Sequence, residues 1–559
     1  MRRFHLGYRV SVAAVLLLLA VPAVAQQGSV PTPVGTQQGS VLSFSDSRDG
    51  IADLLRGGQQ LEQQRRWGEA LAHYEDAIRQ HPHESALQQR FDIARLHYDL
   101  ERRYADRSFC DSVLRLSTER ALELYSQVLL KIESHYVDVP KWKELVERGT
   151  GNLDIALGEP VFFNQNIPDR DRPAIDAFRR ELWNVVHARN VRSRADARDI
   201  AAVVARLAEQ RLEIGPAAIV LEYLCGATSA LDPYSTFLTP DQLNEQYAQI
   251  DGAFVGLGVE LKAEQGRLVI LRVILGSPAE EAGVRAQDRI IAIDRQATKD
   301  LTTEQAANLL QGIEGSMVML TVAAPDQAPR QLTVRRRRVD VPSVSQVSIV
   351  DAQNGIGYFK LTGFQKTTVR DFDAALWRLH REGMKSLVID VRGNPGGPLD
   401  SAVEVADRFV EAGGVIVSTR GRNTQEDRTY SARDQGKWRL PLVVMVDQDT
   451  ASAAEIFAGA IRDHHRGKIV GVQSFGKGSV QEICPLEESN AGVKLTVAKF
   501  YSPSGRPVSG IGIEPDVVVR SVARPIDGKL PAAGEDAMLT AALQTARNLT
   551  QTLQARTGL

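Results

Sequence analysis

The sequence predicts a multidomain α+β protein with an N-terminal helical region, a small β-domain and an α/β core. Three observations carry this. Hydrophobic periodicity is helical to about residue 245, turns to short β-rich runs over 246–340, and then alternates strand with helix to about 525. Composition is ordinary for globular chains, 43% hydrophobic and 24% charged over 559 residues, which is enough for several domains. Net charge is −2, from 67 Lys+Arg against 69 Asp+Glu, and that balance disfavours a nucleic-acid partner. The three cysteines (Cys110, Cys225, Cys484) make neither a disulfide framework nor a zinc spacing, and the ten histidines add no metal pattern. No metal or cofactor is expected.

Residues 1–25 read as a signal peptide. A basic start, Met1-Arg2-Arg3, leads into an apolar run from Val10 to Val21, and Ala23-Val24-Ala25 supplies the small residues of a cleavage site. An uncleaved anchor is the alternative, although the run is short for spanning a bilayer. The expected address is a bacterial periplasm or cell envelope. Residues 26–50 are rich in Gly, Ser, Gln and Pro and read as a flexible leader.

Residues 51–120 read as tetratricopeptide-like helices. Trp67, Leu71, Tyr74 and Ile78 share a helical face closed by Pro82, and Arg90–Leu116 is a candidate degenerate second repeat. A plain helical hairpin packed on the next domain is the other reading. Residues 121–245 continue helically, broken near Gly158–Pro173. Over 246–340, strands are predicted at Phe254–Leu261, Arg267–Val273, Arg289–Asp294, Met317–Ala323 and Gln331–Val334, around one helix at Thr303–Leu310. Arg335–Arg338 resembles a basic patch, but at a strand end alternation sends two arginines to each face and solvent. In the core, 341–525, strands at Gly357–Leu361, Ser386–Val391, Leu442–Val446 and Lys468–Val472 alternate with helices at Thr368–Glu382, Leu399–Glu411 and Ser452–Asp463. An amphipathic helix over 535–556 closes the chain.

Three core segments can carry chemistry. In the first, the strand Val388–Val391 exits into Arg392-Gly393-Asn394-Pro395-Gly396-Gly397. Consecutive glycines there free backbone N–H groups to converge on an anion, as an oxyanion site requires. In the second, a strand leads through Asp447-Gln448-Asp449-Thr450-Ala451 to Ser452, which opens a helix. Ser452 with Glu455 makes a capping box, and the same position suits a nucleophile beside free N–H groups. The third is Ser474-Phe475-Gly476-Lys477-Gly478-Ser479-Val480-Gln481. It nearly matches a phosphate-binding loop, but Gly478 stands where that loop needs Ser or Thr, which removes a nucleotide-dependent enzyme. Gln481 lies four residues past Lys477, on its face if the strand continues.

Together these segments resemble the carboxyl-terminal processing peptidases, the tail-specific serine proteases. The resemblance runs from about Ala121 to Asp516, plus the final helix. Its blocks are Leu231-Asp232-Pro233-Tyr234-Ser235-Thr236-Phe237-Leu238, Val255–Glu260, Gly276–Gly283, Ile356-Gly357-Tyr358, Asn394–Gly397, Thr450–Glu455, Phe475–Gln481 and Gly512–Asp516. It implies an α/β Ser-Lys protease core with Ser452 as nucleophile, Lys477 as general base and Gln481 orienting the lysine. Lysine ordinarily titrates near 10.4, and burial beside apolar neighbours such as Phe475 and Val480 would lower that. Backbone N–H groups at Ala453, Gly396 and Gly397 would hold the oxyanion, at about 3–4 kcal/mol per donor.

The β-domain resembles the PDZ module of that family. Gly256-Leu257-Gly258-Val259 stands at its carboxylate-binding loop, which implies protein or peptide substrates chosen by their free C-termini. Two departures stand out: Gly393 replaces a common second Asn, and residues 158–216 look inserted. The arginines of that insertion (Arg179, Arg180, Arg189, Arg192, Arg194) form either a docking surface or a solvated face, and the helical regions could receive an adaptor protein. The competing function is a catalytically silent periplasmic scaffold, which the intact Ser452, Lys477 and Gln481 disfavour. Nothing in the sequence sets an oligomeric state.

Overall fold

A computed structural model describes residues 46–167, 172–264, 267–299, 301, 303–325, 327–433, 437–486, 489–519 and 536–557. The expected signal peptide (1–25) and nearly all of the leader (26–50) lie outside these residues. The chain divides into two compact units. One holds the described residues up to Asp241 with Ile483–Leu495; the other holds Gln242–Glu482 with 496–559.

The first unit is built mostly of helices. Trp67–Gln80 and Ser85–Ala105 pack as a hairpin, with Trp67, Ala70, Tyr74, Ala77, Leu87 and Ala94 forming one cluster also covered by Asp46–Gln63. The proposed second repeat does not form as a hairpin. Ser85–Ala105 is one continuous helix, and Phe109–Val113 is a single π-helical turn. The helix Pro216–Ser229 is buried all round, from Ala217 to Thr228. It packs on Trp142–Ala156 glycine to glycine: a Cβ on Gly226 would lie 2.4 Å from the Gly149 Cα. Charge on that buried helix is matched, Glu222 accepting from Arg103 Nη2 at 2.6 Å and from the Tyr104 hydroxyl at 3.0 Å. The stretch 158–216 folds into Pro160–Asn166, Arg172–His187 and Arg194–Leu212. Its arginines include Arg179 paired with Asp154 at 2.6 Å, Arg211 with Glu181 at 3.0 Å and Arg194 with Glu133 at 3.3 Å. The Asp232 block is a turn, in which the carboxylate accepts from Tyr234 N, Ser235 N and Ser235 Oγ.

In the second unit, the β-rich stretch forms a sheet in the order Val259–Glu264, Arg267–Val273, Arg289–Ile293, Met317–Ala323, Arg330–Arg335, with Gln296–Ala297 beside Arg289–Ile293. The expected strand Phe254–Leu261 is broken in two. Leu257 turns into the module's core and Gly258 takes φ +84°, a left-handed value that favours glycine. The piece before the break, Ala253–Gly256, pairs antiparallel with Arg337–Asp340, so both chain passages of the module run together as a two-stranded ribbon. The arginine run is not simply solvated. Arg336 is buried and donates to the carbonyl oxygens of Leu309, Leu310 and Met317 and to Ser316 Oγ, while Arg337 pairs with Glu281.

The core is a six-stranded sheet in the order Val344–Asp351, Ile356–Leu361, Ser386–Asp390, Leu442–Val446, Lys468–Gly471, Val517–Val518. Only the first pair is antiparallel. Such a sheet must be covered on both faces, and its central strands Ser386–Asp390 and Leu442–Val446 are accordingly buried at every position. Thr368–Arg381, Leu399–Asp407 and Ala453–Asp463 cover one face. Ala537–Thr557 covers the other, packing Met538, Leu539, Ala542 and Ala546 on Tyr358, Val388, Val443, Met445 and Val470. Ser386–Asp390 and Leu442–Val446 are parallel neighbours, which delivers their two exit loops side by side at the carboxyl edge.

Candidate active site

The strand Leu442–Val446 ends at Asp447, and the chain turns sharply to enter the helix at Ala453. Ser452 absorbs the turn at φ +56°, ψ −120°, a conformation costing a non-glycine residue about 1–3 kcal/mol. Its surroundings hold it there. The Asp447 N–H donates to Thr450 Oγ1 at 2.9 Å, Thr450 Oγ1 donates to the Val391 carbonyl at 2.9 Å, and the Ala451 N–H donates to the Asn394 carbonyl at 2.9 Å. From the other side the Phe475 N–H donates to the Thr450 carbonyl at 3.0 Å. All three sequence segments therefore meet around Ser452.

Glu455, read from sequence only as half of a capping box, is the hub of this meeting. It is fully buried and accepts four hydrogen bonds: from Ser474 Oγ (2.6 Å) and Gly476 N–H (2.7 Å) on Oε1, and from Ser452 N–H (2.8 Å) and Lys477 N–H (2.9 Å) on Oε2. Ser452 and Lys477 thus share one acceptor atom. Burial pushes the Glu455 carboxyl up from its ordinary value, opposed by the donors from Ser474, Gly476, Ser452 and Lys477. The signal was present as a Glu three residues after Ser452, but its local meaning concealed the long-range one.

Ser452, Lys477 and Gln481 are all buried, at 3%, 1% and 0% exposure. The apolar wall expected for the lysine is only partly there, because Phe475 is 38% exposed and Val480 half-buried. The strand carrying Gln481 starts at Ser479, after Lys477, so alternation pairs Gln481 with Ser479 instead. Gln481 Nε2 donates to Ser479 Oγ at 2.8 Å and Thr496 Oγ1 at 3.3 Å, while its Oε1 is a buried acceptor with no hydrogen bond among the described residues.

The glycine loop lies against the serine. A Cβ on Gly396 (φ +100°) would fall 2.7 Å from the Ser452 Cβ and 2.9 Å from the Ala453 nitrogen. A Cβ on Gly397 would fall 1.9 Å from the Phe364 carbonyl oxygen. The Gly396 N–H differs from expectation: it donates to Asn394 Oδ1 at 2.9 Å, inside the loop, and Asn394 Nδ2 is anchored on the Leu361 carbonyl. The Ala453 N–H is the first of its helix and has no intrahelical acceptor. Gly393, the departure from the family pattern, takes φ +69° and donates its N–H to Asp447 Oδ1 at 2.9 Å, so the loop is tied down there.

In the β-module, Val259–Glu264 is the end strand of its sheet, paired with Arg267–Val273 alone. The helix Thr303–Leu310 packs next to it. The turn ahead of the strand is braced from behind, with the Ile274 N–H on the Gly258 carbonyl and the Ala279 N–H on the Leu257 carbonyl, each at 2.9 Å.

Residues 355–519 match peptidase family S41, and residues 269–323 match the PDZ domain. A "Carboxy-terminal-processing protease" of Bartonella bacilliformis is 36% identical over 300 residues, covering 53% of this chain and 68% of that protein. A "Carboxyl-terminal-processing protease" of Picosynechococcus is 36% identical over 296 residues, with 52% and 70% covered. Among solved structures, the photosystem II D1 C-terminal processing protease aligns at 26% identity and a TM-score of 0.39, over 77% of this chain and 97% of that one.

Proposed function

The chain belongs to the carboxy-terminal-processing serine proteases of peptidase family S41, and from that premise we propose that Ser452 and Lys477 are its nucleophile and general base. The observation that carries this is the shared Glu455 oxygen, which makes the two residues immediate neighbours although 25 positions separate them. In this reading the Lys477 amine takes the Ser452 Oγ proton as that oxygen attacks the scissile carbonyl. Lys477 is buried beside Ser452, and the step needs its amine neutral. The oxyanion forms against the Ala453 N–H and the Gly397 side of the glycine loop, since the Gly396 N–H is engaged with Asn394. Lys477 then gives its proton to the leaving amine, and water releases the acyl group from Ser452. Gln481 Oε1, a buried acceptor with no hydrogen bond among the described residues, suits the lysine as its orienting contact.

The module supplies selection. A peptide tail adds as a strand along the end strand Val259–Glu264, and its carboxylate seats on the backbone of Gly256-Leu257-Gly258-Val259. The basic start, apolar run and small residues of 1–25 support work outside the cytoplasm. No helix among the described residues is long and apolar enough to cross a membrane. The test is to incubate the mature protein and its Ser452→Ala form with unfolded proteins of differing C-termini and map the cuts by mass spectrometry. Cleavage near tails by the native form alone is expected. Equal product from the Ser452→Ala form would overturn the assignment.

A further inference from the structure

Ala537–Thr557 lies on the sheet face opposite the helix of Ser452, yet it reaches the glycine loop through a buried chain of charges. Asp536, 1% exposed, caps this helix: its Oδ1 accepts from the Met538 and Leu539 N–H groups at 3.0 and 2.9 Å. Its Oδ2 lies 2.8 Å from Arg392 Nη1. Arg392, 6% exposed, directs Nη2 at Asp390 Oδ2 (2.7 Å) and Nε at both Asp390 oxygens, and Tyr358 donates to Asp390 Oδ2 at 3.0 Å. Burial opposes the Arg392 charge, and Asp390 and Asp536 more than offset it, so the guanidinium is held above its ordinary range. Two residues on, Asn394 anchors Gly396 and receives the Ala451 N–H beside Ser452.

We infer that Asp536 is a positioning residue for catalysis: by clamping Arg392 from the C-terminal helix it fixes the Arg392–Gly397 loop against Ser452, so that the chain's last helix is a working part of the active site. The inference rests on the proposed peptidase chemistry. Asp536 Oδ2 meets Arg392 as a charge neighbour and not through an aligned hydrogen bond, and a buried guanidinium that loses one of its two carboxylates keeps an uncompensated charge that favours a shift. Its own backbone leads directly into the Gly393–Gly397 loop, so a shift of Arg392 is passed to that loop first. Because that loop faces the developing oxyanion, the loss falls on turnover more than on substrate binding.

Asp536→Asn separates this role from helix capping, since Asn caps as well as Asp but cannot carry the charge. Arg547→Ala is the control: it removes another anchor of the same helix, the 2.8 Å contact with Asp351, without touching Arg392. With the native protein active and Ser452→Ala silent, kcat and KM are measured on one peptide well below each variant's melting temperature. Asp536→Asn is expected to lower kcat at least ten-fold with KM within two-fold, Asp536→Glu to recover part of kcat, and Arg547→Ala to leave both near native. If Asp536→Asn fails to fold by circular dichroism, Asp536→Glu carries the test, with a kcat below that of Arg547→Ala expected. An unchanged kcat in the folded Asp536 variant, or an equal loss in Arg547→Ala, overturns the inference. Absence of any Ser452-dependent cleavage would instead overturn the peptidase reading itself.

Discussion

The peptidase core and the PDZ module both set helices against a sheet, but they treat their polar groups oppositely. The core strands Ser386–Asp390 and Leu442–Val446 are buried at every position, whereas in Arg289–Ile293 and Met317–Ala323 buried residues alternate with exposed or half-exposed ones. The core's Ser452, Lys477 and Glu455 are all inside. The module leaves large apolar side chains outside, Leu275 at 87% and Ile313 at 83% exposure, and ends in a strand with one edge unpaired within its sheet. A site that must hold a strained serine needs a surround that cannot relax, and buried, mutually satisfied groups provide it. A site that must admit many tails needs backbone donors that another chain can reach. On the proposed reading, one protein carries a rigid chemical half and an adaptable recognition half.

The largest effect is expected in the core: Ser452→Ala or Lys477→Ala should lower kcat by about 10⁴-fold or more with the fold intact. Lys477→Arg should do the same, because guanidinium does not release its proton near neutral pH. Retained turnover in Lys477→Arg would remove the general-base role. Next comes Glu455. Glu455→Gln sets an amide donor against N–H donors already present, so a stability loss of about 3 kcal/mol and at least a hundred-fold fall in kcat/KM are expected. Urea titration and peptide kinetics together test it, and a stable, active Glu455→Gln form would show that the hub is dispensable.

The third measurement moves to the module. A substrate with a free, apolar C-terminus should be cut about ten- to a hundred-fold faster below saturation than the same chain amidated, since amidation removes a charge-assisted bond. Equal rates would leave the chemistry standing and take tail recognition away. The smallest effect is expected from Gly258→Ala. At φ +84°, with the new Cβ 2.3 Å from the Ser277 Cβ, the module should lose about 1–3 kcal/mol and the free-over-amidated preference should shrink. The rate on the amidated substrate should stay near native. A matching fall on both substrates would mean that the two halves are not separable.

Which segments meet at the candidate site was largely legible in the chain. Periodicity located the core strands Leu442–Val446 and Lys468–Gly471 almost to the residue, because strands buried on both faces are unbroken apolar runs. Ser452, Lys477 and the glycine loop were marked by motif blocks that survive without any fold. What failed locally did so for one reason, that a residue's partner lay far away in sequence. Phe254–Leu261 looked like one strand because neither Ser277 nor the module's core, which force the break at Leu257-Gly258, is visible from nearby residues. Arg336 looked solvated because its carbonyl acceptors belong to the distant segment 309–317.

Neighbours within a turn or a strand carry the residue types at the candidate site and the periodicities that build the sheet, and both can be read along the chain. Only the tertiary structure decided that Ser452 sits at φ +56°, that Glu455 joins it to Lys477, that the Gly396 N–H turns inward to Asn394, and that Asp536 reaches Arg392 across more than a hundred residues. The physical reason is the same in each case. Buried polar groups must find partners, and which partner lies within reach is settled by how the layers pack, not by what stands next in the chain.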